Sequence, residues 1–310
     1  MISISEKEKK KAAIITGASS GIGLEIGRTL CRMGYEVYGL GRNFDGIDTA
    51  GDDLAAELEF DMEEGEDKSF HSIVCDVSDT GLLYRMIKDI QKKADIHVLV
   101  NNAGAAYYGL HEELNAKKIK EMVRTNIEVP MILTQLLMRE LKRTHGYIIN
   151  ISSVTASQTN PHGAAYGATK AALTSFSRSI FEEARKYGVK VTTIAPDMTQ
   201  TNLYRNADFS TDDGEQRAYL LPGEVAEAVE YVLDRREGMV VSEMTLRPQL
   251  HRIKRKQPEE TRPQRGQYGT WERRGGNPTG YEIRDGFMQK NTYEKIYDVV
   301  RHLPFAAAIV

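Results

Sequence analysis

Seven residues, Gly17-Ala-Ser-Ser-Gly21-Ile-Gly23, constrain this chain more than any other stretch. Ahead of them Ala12 to Thr16 is a short apolar run that reads as a buried strand, and behind them Leu24 to Met33 carries apolar residues at helical spacing. Strand, glycine-rich turn and helix make a site for a phosphate. The glycines let the backbone approach an anion, and the helix's free N–H groups and dipole favour its charge. Glycines also serve plain tight turns, so the cluster needs company before it means more. Its spacing, Gly-x-x-x-Gly-x-Gly, differs from the general Gly-x-Gly-x-x-Gly fingerprint and points to a particular subclass.

The alternation continues along the chain. Glu36–Leu40, Ser72–Cys75, Ile96–Val100, Tyr147–Ile151 and Val189–Ile194 read as strands, with Met239–Val241 as a short final one. Asp79–Lys93, Asn115–Arg143, the stretch from Ala164 to Gly188, and Gly223–Arg235 read as helices, and the acidic run Asp45–Ser69 as an exposed helix and loop. This order predicts an α/β fold: a Rossmann-like doubly wound parallel sheet of about seven strands, with a crevice at the strand carboxyl ends. Pro130 should kink the helix it interrupts. Asn126, one turn earlier, either caps that break or reaches into a site. The polar stretch from Met198 to Leu221 reads as a long loop with short helical pieces, and loops of that length are usually functional.

The strand ends hold the candidate chemistry. The second strand runs into Gly41-Arg42, where a dinucleotide site places its ribose reader; the absence of an acid and the cation at Arg42 suit a 2′-phosphate. The third ends in Asp76-Val77 and the fourth in Asn101-Asn102-Ala103-Gly104, small and amide-bearing residues that suit close approach by a ligand. The fifth ends in Ser152-Ser153. In the helix that follows, Tyr166 and Lys170 are i and i+4 and share a face. A phenol titrates near ~10 in water, and an adjacent ammonium lowers that by favouring the phenolate. Ser153 could hydrogen-bond whatever oxygen takes the phenol's proton, completing a proton-transfer device. Spacing alone does not make the case, because Tyr84 and Lys88 form the same pair with no hydroxyls ahead of them.

Composition bounds the alternatives. A chain of 310 residues forms one large domain or two small ones. We read residues 1–10 as a charged tail, 11–256 as the dinucleotide-binding catalytic domain, and 257–310 as a low-complexity tail with one short helix, Asn291–Leu303. The net charge of −3 gives no sign of a nucleic-acid partner. Arg265-Gly and Arg273-Arg-Gly-Gly276, near Tyr268 and Trp271, have the composition of RNA-binding segments, but Glu259, Glu260 and Glu272 dilute their charge. Cys31 and Cys75 lie in or beside apolar runs, as buried reduced thiols do. No apolar run approaches the ~20 residues that span a bilayer, and the start is charged, so no membrane association and a cytoplasmic location are expected. No metal is expected.

In combination, four motifs identify the chain as similar to the short-chain dehydrogenase/reductase family over residues 10 to 250. They are Thr16-Gly-Ala-Ser-Ser-Gly-Ile-Gly23, Asn101-Asn-Ala-Gly104, the Ser153 region and Tyr166-x-x-x-Lys170. The resemblance implies that Tyr166 is the general acid when a carbonyl is reduced and the base in reverse, and that Lys170 lowers its pKa and holds the nicotinamide ribose. Ser153, thirteen residues before Tyr166, orients the substrate oxygen, while Ser152 is structural. Asn126 supports a water relay to the lysine. The cofactor is held by Gly17, Ser19, Ser20, Gly21, Ile22 and Gly23, by Arg42, by Asp76 and Val77 at the adenine, by Asn102, Ala103 and Gly104, and by Pro196 and Thr201. In place of the family's Pro-Gly this chain has Pro196-Asp197. Asp tolerates φ > 0 better than most residues, so the loop should still form.

The implied activity is NADP(H)-dependent hydride transfer between a nicotinamide and a ketone or secondary alcohol, with NAD(H) the second choice of cofactor and a homodimer or homotetramer as the assembly. Two alternatives stand beside it: an NAD-dependent alcohol dehydrogenase, and a non-catalytic dinucleotide-binding sensor or scaffold. A pure binder has no need of the phenol. The small-molecule substrate depends on Ala105–Leu110, Val154–Gly163 and the loop at 198–221, whose lack of a charge cluster does not indicate a simple carboxylate or phosphate.

Overall fold

The computed structural model describes residues 9–44, 69–250 and 252–256. The expectations for the chain start at residues 1–8, for the acidic stretch at 45–68 and for the tail at 257–310 fall outside the described residues.

Seven parallel strands form the centre: β1 Lys11–Thr16, β2 Glu36–Gly41, β3 Phe70–Val74, β4 Asp95–Asn101, β5 Tyr147–Ile151, β6 Lys190–Pro196 and β8 Glu243–Leu246. Their spatial order is β3-β2-β1-β4-β5-β6-β8. The order reverses between β1 and β4, which opens a crevice at the carboxyl ends of those strands. Helices cover both faces, so the inner strands are apolar on both sides rather than alternating with polar residues. On one face Ile14, Leu40 and Leu99 pack against α2 (Thr80–Lys93) through Leu83 and Ile87, and against α4 (Val129–Thr144) through Leu133 and Leu137. On the other, Ile15, Val37, Val100 and Ile149 pack against α1 (Gly21–Arg32) through Ile26 and Leu30, and against α6 (Pro222–Leu233) through Val225 and Val229. The β1–β4 register steps between Ala12 and Ala13, which pair with Ile96 and Val98, so Ile96 and Val98 face opposite sides of the sheet.

Four expectations need correction. The last strand of the parallel sheet lies at Glu243–Leu246, not at Met239–Val241. It is an edge strand with alternate residues exposed, so the most apolar triplet was the wrong guide. The third strand starts at Phe70 rather than Ser72, again at a sheet edge. The break in the long helical region is a π-helical turn, Arg124–Glu128, between α3 (Ala116–Val123) and α4. Pro130 sits in the first turn of α4, where its missing N–H costs little, and the widened turn ahead of it accommodates the donor it lacks.

The fourth concerns the 198–221 loop, which holds a strand as well as short 3-10 pieces. β7 (Phe209–Thr211) pairs antiparallel with β9 (Ile253–Arg255), part of the basic run near the expected domain end. Lys256 adds a backbone bond from its N–H to the Asp208 carbonyl at 2.8 Å and a side-chain bond from Nζ to the Tyr204 carbonyl at 3.2 Å. Ending the chain after Leu250 should therefore loosen the backbone around Arg205, speed trypsin cleavage there, and lower the unfolding midpoint by ~2–4 °C for each kcal/mol lost. A chain ended after Lys256 keeps β9 and should show neither change.

No helix among the described residues is long and apolar enough to cross a membrane.

Candidate active site

The glycine turn is built by its contacts with the end of β4. Gly17 (φ +68°) donates its N–H to the Leu40 carbonyl at 2.7 Å, and a Cβ there would lie 2.9 Å from the Cα of Ala103. Gly23 is pressed against the Gly17 carbonyl and the Asn102 amide, so a Cβ would collide with both. Thr16, fully buried, accepts the N–H groups of Asn102 and Ala103, each at 3.0 Å, while Asn102 Nδ2 donates to the Thr16 and Gly17 carbonyls at 3.0 and 3.1 Å. The two strand ends are thus fixed to each other. Ser20 caps α1 with no side-chain hydrogen bond, so the N–H groups of its first turn stay available.

Of the residues assigned to catalysis or the cofactor, all but Gly23 and Asn126 line one cleft of about 320 Å3; of the expected substrate stretches, 105–107 line it and 154–163 do not. Gly23 sits behind the turn. Asn126 is fully buried in the π-helical turn and holds a loop in place: Oδ1 accepts the Ala105 N–H at 2.8 Å, and Nδ2 donates to the Ala105 carbonyl and to Thr169 Oγ1, each at 2.9 Å. Its side chain thus bonds the Ala105 backbone and Thr169 and does not line the cleft. Asn126 Oδ1 and Lys170 Nζ flank Gly104, each 3.8 Å from where its Cβ would be.

Tyr166 and Lys170 lie on α5 (Ala164–Ala184), both only 4% exposed. Lys170 Nζ donates to the Ile151 carbonyl at 2.8 Å and lies 5.9 Å from the centre of the Tyr166 ring. Ser153 Oγ accepts from Thr155 N–H and Oγ1 at 3.2 and 3.0 Å, and its hydroxyl is near enough to the Tyr166 phenol to favour the phenolate. Ser152 turns away to bond the Lys170 carbonyl and Thr174. The electrostatics differ from expectation. Burial pushes the Tyr166 phenol up and the nearby Tyr204 phenol adds to this, while the Ser153 hydroxyl works against it. Burial likewise pulls Lys170 down, to about 8. Two groups that share a dry wall are each driven toward neutrality, so desolvation outweighs the attraction assumed from spacing.

That shift has a consequence for stability. Lys170 ordinarily titrates at 10.5, so between about 8 and 10.5 the unfolded chain binds a proton that the folded chain does not. Burying the charge costs stability below about pH 8, and the cost is relieved as pH rises through that window. The buried thiols of Cys31 and Cys75, pushed up to about 11 from 9.0, and the buried tyrosines oppose the trend at higher pH. Chemical denaturation at pH 8 and 9 should show the wild type gaining ~1 kcal/mol relative to Lys170→Met. Parallel profiles would place the lysine's titration elsewhere.

At the other end of the cleft, Asp76 accepts the Ser78 N–H at 2.9 Å, and that bond, aided by the charges of Arg42 and Arg124, holds its carboxyl below the usual range. Arg42 is 63% exposed and lies 4.0 Å from Glu121, which in turn accepts the Tyr107 hydroxyl at 2.7 Å. Thr201 Oγ1 accepts the Leu203 N–H at 3.3 Å, beside Gly21. Asp197 does not adopt φ > 0: only His145 and His162 do so among the described non-glycine residues. The loop forms because Asp197 donates its N–H to the Leu246 carbonyl at 2.9 Å and its carboxylate accepts the Met198 N–H at 2.8 Å. Sequence reading missed Glu121, Tyr204 and the buried Thr169. No local motif marks the first two, while Thr169 lies inside the Tyr-x-x-x-Lys span but outside its pattern. Among the described residues no cluster could hold a metal ion.

Residues 11–211 match the model of a family described as short chain dehydrogenase. An uncharacterised oxidoreductase of Staphylococcus epidermidis is 32% identical over 78% of this chain and 99% of its own length. Farnesol dehydrogenase of Aedes aegypti is 30% identical over 77% and 96%. An alcohol dehydrogenase from the archaeon Thermococcus sibiricus, solved with 5-hydroxy-NADP, superposes with a TM-score of 0.67 at 28% identity, covering 77% of this chain and 96% of its own.

Proposed function

The chain belongs to the short-chain dehydrogenase family of oxidoreductases, and from that membership we propose that it transfers hydride between NADP(H) and a ketone or secondary alcohol, with Tyr166 as acid and base. The observation that carries this reading is the burial of Ser153, Tyr166 and Lys170 together in the cleft that begins at the glycine turn.

The walls fit the cofactor. The turn has no Cβ at the positions where one would collide, and the uncapped start of α1 suits a pyrophosphate. We assign the pyrophosphate to Ser19, Ser20, Gly21 and Ile22, the adenine to Asp76 and Val77, and the 2′-phosphate to Arg42. Asn102, Ala103 and Gly104 flank the cofactor, Lys170 takes the nicotinamide ribose, and Pro196 and Thr201 take its amide. A related alcohol dehydrogenase bound to an NADP derivative supports the phosphorylated form. When bound, the nicotinamide supplies or accepts the hydride.

The chain's own residues handle the proton. Ser153 and Tyr166 hydrogen-bond the substrate oxygen. A phenol kept neutral by its dry surroundings gives up its proton as negative charge develops on that oxygen. Lys170 then steadies the phenolate, its charge favoured once an anion stands beside it. Asn126 is assigned to hold the Ala105 backbone and to support a water relay to the lysine. We also propose a homodimer or homotetramer built on α3–α4 and α5, where Val123 and Met131 are exposed.

The test is direct. The purified chain is mixed with NADPH and a panel of ketones, then with NADP and secondary alcohols, and the nicotinamide absorbance is followed. Turnover on one side supports the reading. Bound cofactor with no turnover on either side would leave a non-catalytic binder, and equal use of NADH would favour the NAD-dependent alternative.

A further inference from the structure

Four aromatic rings from three separate stretches meet beside the proton-transfer groups. Tyr108 follows β4, Tyr166 lies on α5, and Tyr204 and Phe209 come from the 198–221 loop. Ring centres lie 5.0 Å apart for Tyr108–Phe209, which meet edge to face, 5.5 Å for Tyr204–Phe209, 5.9 Å for Tyr108–Tyr166 and 6.3 Å for Tyr108–Tyr204. These separations fall in the range where aromatic side chains attract one another. Tyr166 and Tyr204 both line the cleft. The Tyr204 phenol is among the causes that push Tyr166 up.

The rings are held rather than draped. β7 begins at Phe209 and is paired to β9, and Lys256 clasps the Tyr204 carbonyl. The surroundings are apolar: Ala106, Met122 and Tyr166 form a buried cluster with Tyr108, Leu114 and Leu203 packed on it. The charged groups nearby do not invite an anion. Lys170 is bonded to the Ile151 carbonyl, Arg205 is exposed at the rim, and Asp197 lines the cleft and acts on the Tyr204 phenol. A substrate carboxylate would meet Asp197, while Lys170, the buried cation in the same cleft, is engaged by the Ile151 carbonyl.

Resting on the reading of the cleft as a ketone/alcohol site, we propose that Tyr204, backed by Tyr108 and Phe209, forms its specificity wall and selects an uncharged substrate whose flat, apolar body, aromatic or alicyclic, packs beside the reacting carbonyl. The wall is a specificity element and carries no proton.

Isothermal titration of the protein, with and without NADP, against acetophenone, 2-butanone and pyruvate separates this proposal from the activity it rests on. Acetophenone should bind about tenfold more tightly than 2-butanone, and pyruvate should give no measurable heat. Tyr204→Ala and Phe209→Ala should shrink the acetophenone advantage to about twofold or less, with circular dichroism reporting on the fold. Phe209→Leu keeps bulk without a ring and should lose part of it. Equal binding of the two ketones by the wild type, or tight pyruvate binding, overturns the wall, and that comparison decides even if a variant fails to fold. An advantage that survives both alanine substitutions in folded protein overturns it too. If the binding preference holds but none of these ketones is reduced, the wall stands and the reductase reading loses support.

Discussion

Tyr166→Phe is expected to lower turnover by ~10²–10⁴-fold, the usual worth of a positioned acid, while cofactor affinity stays close to wild type. The substitution removes one oxygen from a ring that is 4% exposed and leaves the ring's packing on Tyr108 in place. The lost group is the proposed proton donor. Tyr84→Phe is the matched control and should leave the rate within about twofold of wild type, as surface substitutions usually do. The two pairs are alike by every local measure. Each has an amine four residues after the phenol, and the amine-to-ring distances are 5.9 Å for Lys170–Tyr166 and 5.7 Å for Lys88–Tyr84. They differ in setting: Tyr84 is 50% exposed on the outside of α2, whereas Tyr166 and Lys170 are sealed under the strand ends with Ser153. If the two phenylalanine variants showed the same rate, the pair in the cleft would have no more claim to catalysis than the pair on the surface. Steady-state rates with a ketone that the wild type reduces would decide it.

That contrast marks how far the sequence could be read. Buried parallel strands such as Ala12–Thr16 and Ile96–Val100 were legible because both faces are covered, which leaves runs of apolar residues. The turn from Gly17 to Gly23 was legible because only glycine fits where a Cβ would strike Ala103, Asn102 or the Gly17 carbonyl. The edge strands were misplaced by a few residues because one side of an edge is exposed and its residues need not be apolar. The β7–β9 pair was missed for a different reason. Its partners, Phe209–Thr211 and Ile253–Arg255, are too short and too far apart in the chain for periodicity to reveal them. Glu121 and Tyr204 reach the cleft through tertiary packing of α3 and the 198–221 loop, and neither belongs to a local pattern. The sign of the Tyr166 shift also lay beyond spacing. An i, i+4 pair supplies the attraction, but the extent of burial decides whether it wins, and burial is a property of the whole fold.

NADPH is expected to bind ~10–100-fold more tightly than NADH, and Arg42→Ala should erase most of that gap. The guanidinium can grip a 2′-phosphate through two charge-assisted hydrogen bonds, and each decade of affinity needs only ~1.4 kcal/mol of net gain. Arg42 stands at the end of β2, on the rim of the cleft, and is 63% exposed, so water and salt discount each bond. Glu121, 4.0 Å away, discounts it further. A carboxylate beside the arginine competes with the phosphate and also repels it, so the gap should lie toward the lower end of the range. Glu121→Gln should widen it by ~3-fold, keeping a hydrogen-bond acceptor for the Tyr107 hydroxyl while removing the charge. An acid at position 41 would be the obvious way to reverse the preference, but the structure argues against Gly41→Asp as a clean test. A Cβ there would sit 3.0 Å from the Phe44 ring and from Ser19 Cβ, so a loss of affinity could come from a displaced turn. Arg42→Glu introduces the same repulsion from a side chain that is already exposed and should bring NADH level with NADPH or ahead of it. Titration of both cofactors by nicotinamide fluorescence at two salt concentrations resolves these contributions, because the Arg42 part shrinks with salt. Equal wild-type affinities would remove Arg42 from the 2′-phosphate and leave the ribose end of the cleft reading as an NAD site.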